Sequence, residues 1–125
     1  MSEEIKINTD NVTKTKGVKF DQNKPSMSSI PKEAMWELGG ALAYGAKKYG
    51  DGNYRNGMLV SRQLSAAIRH IYQHLDGENN DPESGVTHLG HALASLAMAC
   101  YTLKNHPEMD DRFKADIKKH EVPDV

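Results

Sequence analysis

Apolar residues recur at helical spacing in three stretches of this chain. In the first, Met35, Leu38, Leu42 and Tyr49 follow one another with Ala34, Ala41 and Ala46 filling in. Such spacing marks one face of a helix with about 3.6 residues per turn. Pro31 suits an early helical position and Glu33 the positive end of the helix dipole. This helix therefore starts near Ser28 or Ser29, and Gly50 is its stop. The second stretch sets Leu64, Ala67, Ile68, Ile71, Tyr72 and Leu75 on one stripe, with Ser61 as N-cap and Gly77 past the end. The third carries Leu89, Ala92, Leu93, Leu96, Cys100 and Leu103, with Ser84 or Thr87 as cap, and ends before Pro107.

No stretch alternates with a period of two, so no strand competes. The pattern predicts an all-α fold. It is a small helical bundle of three principal helices over 31–49, 61–76 and 86–103, with the second and third stripes facing each other. A short, charged C-terminal helix over about 109–120 would turn Phe113 and Ile117 inward. Residues 1–18 are polar, lack a sustained period and read as a mobile N-terminal arm. Residues 19–125 read as a single helical domain.

A chain of 125 residues suits one domain with a modest core. Hydrophobic residues at 38% and charged residues at 26% place it among folded proteins rather than disordered ones. A net charge of -1 argues against a nucleic-acid polymer as partner, because such binding leans on broad positive charge. A small anion needs only a local basic patch. No apolar run reaches bilayer length and the N-terminus lacks a signal peptide's apolar region, so no membrane role is expected. The expected compartment is the cytoplasm, the host's if the chain is phage-encoded. The lone Cys100 excludes an internal disulfide and reads as a small core residue. Gly39-Gly40 and the alanine-rich third helix point to close packing between subunits, so a homo-oligomer, dimer or tetramer, is expected.

The candidate chemistry gathers between Arg69 and His91. His70 and His74 lie four apart on the second helix, and His88 and His91 three apart on the third. The intervening loop adds Glu78, Asp81 and Glu83. His70, Glu78, Asp81, His88 and His91 are candidate ligands for a divalent metal. A mixed imidazole and carboxylate set suits Mn²⁺, Fe, Co or Zn²⁺ better than Mg²⁺. Glu78, Asp81 and His88 are also the candidate catalytic groups, with either carboxylate as base. His74, beside the stripe, reads as a boundary residue. The 81–85 loop would aim the third helix's first N–H groups at an anion.

A second constellation is basic and aromatic. Lys47, Lys48, Arg55 and Arg69 suit phosphates, and Tyr44, Tyr49 and Asn53 suit a base or sugar. Lys24 lies in a turn-rich segment before Pro25 that reads as a surface loop, with a place over the phosphates as the alternative. Arg69 has an alternative as a salt-bridge partner of Asp76. Glu33 and Glu37 read as a solvated helix face, with a metal-binding pair as the alternative.

Several of these stretches together resemble a known family. They are Lys19-Phe20-Asp21-x-x-Lys24-Pro25, Ile30-Pro31-x-Glu33-Ala34 and Tyr44-Gly45-Ala46-Lys47-Lys48-Tyr49-Gly50-x-x-Asn53. Arg69-His70, Gly77-Glu78, Asp81, Ser84-Gly85, His88 and His91-Ala92 follow in order. The chain resembles the phage dATP/dGTP diphosphohydrolases, in their N-terminal-type domain, grouped near the MazG-like nucleotide pyrophosphohydrolases. The resemblance covers about 19–103. It implies an all-α oligomeric domain that hydrolyses a purine (deoxy)nucleoside triphosphate to monophosphate and pyrophosphate with a divalent metal such as Mg²⁺ or Mn²⁺. MazG-like enzymes hold Mg²⁺ with a Glu-Glu-x-x-Glu helix and a later Glu-x-x-Asp. This chain has Glu33-x-x-x-Glu37 and His88-x-x-His91 instead, so that acidic site does not carry over. A second reading is a non-catalytic binding protein, a sponge that sequesters a nucleotide or a cyclic nucleotide immune signal.

Overall fold

A computed structural model of the chain describes residues 17–20 and 22–113. Three α-helices carry it: α1 (Lys32–Tyr49), α2 (Val60–Leu75) and α3 (His88–Asn105). Short 3-10 turns occupy Met27–Ser29, Asn53–Asn56 and Pro107–Met109. Among the described residues there is no strand, only an isolated antiparallel bridge between Asn80 and Thr87. The all-α expectation is met.

Both α1 and α2 pack on α3, which makes α3 the centre of the fold. Its buried positions include Gly90, Ala92, Ala94, Ser95, Ala99 and Thr102, all small. Small side chains let neighbouring backbones come close. The tightest approach is at Gly90, where a Cβ would lie 2.7 Å from the carbonyl oxygen of Glu37. Within the chain the Gly39-Gly40 pair makes no such approach: a Cβ at Gly39 meets nothing within 4 Å, and one at Gly40 meets Val86 Cγ1 at 4.0 Å. Thr87 is the cap of α3. Its Oγ1 accepts from the Gly90 N–H at 3.0 Å and donates to Glu37 Oε1 at 2.6 Å. Glu37 is therefore half-buried against the start of α3 rather than on a solvated face, its carboxylate bound by the capping hydroxyl.

The start of α2 differs from expectation. Leu59 stands at the N-cap and Ser61 lies inside the first turn. The Ser61 N–H donates to Asp111 Oδ1 at 2.8 Å, and its hydroxyl donates to Oδ2. The acidic group that caps this helix comes from far along the chain, where local reading cannot see it.

The inward faces also differ. On α2 the buried residues are Val60, Gln63 and Ala67, and the half-buried His70 and His74 continue that line. Of the predicted stripe, Ala67 is buried and Leu64 half-buried, whereas Ile68, Ile71, Tyr72 and Leu75 are 40% to 71% exposed. Leu89, Leu96 and Met35 are exposed as well, and Cys100 is an exposed thiol rather than a core residue. The reason is chemical. The face that packs on α3 joins it by polar contacts, among them the Gln63 amide donating to the Thr102 hydroxyl at 3.0 Å. A count of apolar residues reads such a face as solvated. Phe113 is fully exposed, and 110–113 are not helical. The rest of the expected C-terminal helix, and residues 1–16 of the expected arm, lie outside the described residues. No helix among the described residues is long and apolar enough to cross a membrane.

The contact at Gly90 yields a test of this packing. Gly90→Ala pushes a methyl into rigid backbone and should destabilise the fold by about 1–3 kcal/mol. Gly39→Ala gains helix propensity without a clash and should stabilise by up to ~1 kcal/mol. Urea denaturation followed by circular dichroism measures both, and equal effects would refute the close approach.

Candidate functional site

A cleft of about 880 Å³ opens beside α1, the 50–58 connection and the junction of α2 with α3. Tyr44, Lys48 and Tyr49 line it from α1, Asn53, Tyr54 and Arg55 from the connection, and Arg69 and His70 from α2. Asp81 and Glu83 of the 76–87 loop face His91, Ser95 and Met98 of α3 across it. The volume suits a nucleotide-sized ligand.

The loop is held in a tight fold. The Asp81 N–H donates to the Val86 carbonyl at 2.8 Å, the Gly85 N–H to the Asp81 carbonyl at 2.8 Å, and the His88 N–H to the Asn79 carbonyl at 2.9 Å. Gly85 takes a φ of +76°, which L side chains rarely adopt. Three histidines then meet at the helix junction. His70 Nδ1 lies 2.8 Å from His88 Nδ1, and the His70 ring stacks on His91 at 4.6 Å between centroids. His88 is fully buried, and its Nε2 lies 2.7 Å from Glu78 Oε1.

With a neutral His88 these contacts assign the protons. A carboxylate only accepts, so the His88 Nε2 carries the hydrogen that Glu78 receives. In the neutral ring His88 Nδ1 is then an acceptor, and His70 Nδ1 must donate to it. That leaves the Nε2 of neutral His70 with a free lone pair. Glu78, His88 and His70 form one hydrogen-bonded chain that ends on a cleft residue. A parallel set serves His91. Its Nε2 donates to Ser84 Oγ at 2.6 Å, Ser84 Oγ donates to Asp81 Oδ2 at 3.0 Å, and the Val86 N–H donates to Ser84 Oγ at 3.1 Å. Burial, and then the neighbouring His91 and His88 rings, hold His70 below its ordinary pKa of 6.5. Burial likewise lowers His91, against the opposing pull of Asp81. Both rings are thus biased toward the neutral form.

Across the cleft Glu83 makes a clasp. Its Oε2 accepts from Lys48 Nζ at 2.8 Å and from the Tyr44 hydroxyl. The Lys48 ammonium, then the Tyr44 hydroxyl, hold the Glu83 carboxyl below its usual range, while the hydrogen bond to Glu83 raises both Lys48 and Tyr44. Tyr44 also sets its ring edge against His91 at 5.9 Å. Further along, the Arg55 guanidinium lies over the rings of Tyr54 and Tyr101 at 5.7 and 5.9 Å. Those two rings meet edge to face at 5.3 Å.

The structure thus brings together most of the residues expected from sequence. Tyr44, Lys48, Tyr49, Asn53, Arg55, Arg69, His70, Asp81 and His91 line the cleft. Glu78 and His88 stand behind His70, outside the lining. Lys24 and Lys47 are exposed and also outside it. Arg69 donates to Ser65 at 3.1 Å rather than pairing with Asp76. Sequence reading did not foresee Ser84 as the link between Asp81 and His91, nor the pairing of Tyr54 with Tyr101; neither contact follows a local spacing rule.

A metal held by His70, Glu78, Asp81, His88 and His91 meets a difficulty of geometry. Among the described residues no three His, Cys, Asp or Glu side chains are set to hold one ion. His88 uses both nitrogens within the chain of bonds, and His91 Nε2 is engaged by Ser84. As they stand, these residues do not fit a protein-held ion.

Comparisons with known proteins agree with one another. A family model described as dATP/dGTP diphosphohydrolase, N-terminal, matches residues 14–112. The chain is also similar to a dATP/dGTP diphosphohydrolase of Salmonella phage PMBT28. The two are 36% identical over 96 residues, which are 77% of this chain and 33% of that protein. The chain thus spans about a third of that relative's length. No solved structure matches it.

Two neutral, partly buried histidines make the fold sensitive to acid. Their folded pKa values lie below 6.5, so below that pH the unfolded chain binds protons that the folded one refuses. Stability should be full above pH 7 and fall as pH drops through 6. Thermal unfolding from pH 7.5 to 5 should show this slope, and it should lessen in a His70→Asn, His91→Asn variant. An unchanged slope would place its source elsewhere.

Proposed function

The chain belongs to the dATP/dGTP diphosphohydrolase N-terminal family, and on that premise we propose that its cleft binds a purine deoxynucleoside triphosphate and hydrolyses it to the monophosphate and pyrophosphate. The observation that carries this reading is the chain from Glu78 through His88 to His70. It leaves His70 Nε2 as a lone-pair base at a cleft lined by cations and aromatic rings. On this reading His70 Nε2 takes a proton from water as the water oxygen bonds to phosphorus and pyrophosphate leaves. His70 Nδ1 keeps its bond to His88, so the imidazolium that forms stays oriented. Glu78 balances its charge through the intervening ring. Asp81 and Ser84 hold His91 flat against His70. Lys48, Arg55 and Arg69 receive the phosphates, and Tyr44, Tyr49 and Asn53 the base or sugar.

A divalent cation, Mg²⁺ or Mn²⁺, enters in this scheme with the triphosphate as part of the substrate and neutralises charge on it. The reading places the protein in the cytoplasm of a host cell, where nucleotides are found. The exposed row of Ile68, Ile71, Tyr72 and Leu75 supports the expectation of a homo-oligomer. One observation favours the second reading, binding without cleavage of a nucleotide or cyclic nucleotide. The imidazole donors of the site are engaged with one another rather than arranged around an ion.

Incubating the pure protein with dATP, dGTP and Mg²⁺ or Mn²⁺ should release monophosphate and pyrophosphate in equal amounts. His70→Ala should cut turnover by about a hundredfold or more, the usual contribution of a general base, with unchanged circular dichroism. Because the His70 pKa is lowered, the acid fall of kcat/KM should lie below the pH at which an ordinary imidazole titrates. Recovery of intact ligand after binding would support the second reading instead.

A further inference from the structure

Glu83 occupies an odd position for a cleft that takes phosphates. It is a carboxylate at the tip of the 76–87 loop, and it holds Lys48 of α1, the lysine nearest the anionic ligand proposed above. The contact is short, 2.8 Å, yet both side chains are open to water, with 43% of Lys48 and 62% of Glu83 exposed. An exposed pair of this kind is weak and easily exchanged. Tyr44 adds a second donor to the same Glu83 oxygen and lies edge-on to His91, so the pair is tied to the histidine cluster as well. The bond of Thr87 to Glu37 is part-buried at the start of α3, whereas the clasp lies in water at the loop tip. Its evident effect is to keep Lys48 over the cleft while offering it a negative partner.

We propose that Glu83 is an internal competitor of phosphate: it holds Lys48 in the empty cleft, yields it to an incoming polyphosphate, and reclaims it as products leave. The proposal rests on the reading of the cleft as a nucleotide site. An incoming phosphate must replace the Glu83 carboxylate on Lys48, because one ammonium group cannot serve both fully and the two anions repel. A ligand without phosphates leaves the clasp closed. Return of Glu83 to Lys48 then displaces pyrophosphate, so Glu83 lowers affinity for substrate and product alike and prevents product from blocking the cleft.

The test compares the wild-type protein with Glu83→Gln, titrating dATP, inorganic pyrophosphate and the phosphate-free nucleoside deoxyadenosine by calorimetry. Glu83→Gln should tighten dATP and pyrophosphate about three- to fivefold, the range of an exposed ion pair, and leave deoxyadenosine unchanged. Pyrophosphate should inhibit turnover at correspondingly lower concentration. The gain should shrink in a Lys48→Met background, where there is no cation left to release. Weaker dATP binding in Glu83→Gln would overturn the proposal, since it would make Glu83 a ligand of the substrate or its cation. So would an equal gain with Lys48 absent, which would mark Glu83 as a mere repelling charge. If dATP binds and Glu83→Gln changes nothing, the competitor role fails while the nucleotide site stands. If neither protein binds dATP or pyrophosphate, the nucleotide reading fails and the proposal with it.

Discussion

A fully buried imidazole must bond through both of its nitrogens or lose a hydrogen bond that water would have made. His88 is that residue, and much of the site follows from how it is satisfied. Glu78 takes one nitrogen, so His70 must supply a proton to the other. The need fixes the tautomer of two rings at once. It also fixes where the 76–87 loop can lie, because Glu78 must reach back to the start of α3. The bridge between Asn80 and Thr87 and the bond from the His88 N–H to the Asn79 carbonyl hold it there.

The apolar core around this junction is small. α3 is lined with alanine, serine, threonine and glycine, which let α1 and α2 close on it. To the contact these helices bring Ala41, Val60 and Ala67 together with polar groups: Glu37 on Thr87, Gln63 on Thr102, His70 on His88. Each of these bonds crosses a helix boundary, so packing and site construction are one arrangement, although Gln63 Oε1 and His74 Nδ1 are buried on the same face without a partner among the described residues. Larger apolar side chains, displaced from that junction, lie on the outer faces of α2 and α3.

Helices were legible in the sequence because periodicity needs only local information. The second and third lie within two residues of expectation, and Thr87, one of the two expected caps, caps α3; α1 starts at Lys32, past the expected Ser28 or Ser29, which belong to a 3-10 turn. The direction each helix faces was not legible. Ile68, Ile71, Tyr72 and Leu75 form the most regular stripe in the chain, yet the face carrying Gln63, His70 and His74 is the one turned to α3. Hydropathy ranks a face by transfer to an apolar phase and cannot credit polar groups whose partners arrive from another helix. The candidate site fared better, since titratable residues of one loop and its two flanking helix ends are close in sequence as well as in space. His70, Asp81 and His91 were grouped for that reason. The Glu83 clasp to Lys48 and the Asp111 cap on α2 join residues 35 and 50 positions apart, and no spacing rule reaches so far.

The central claim is that Glu78 and His88 leave His70 with its Nε2 unprotonated. Nitrogen NMR of the imidazole groups, in protein labelled with ¹⁵N histidine at pH 7, reads this directly. The account predicts His88 protonated at Nε2 and bare at Nδ1, and His70 protonated at Nδ1 with a bare Nε2. A His70 ring protonated at Nε2, accepting at Nδ1 from His88, would contradict it.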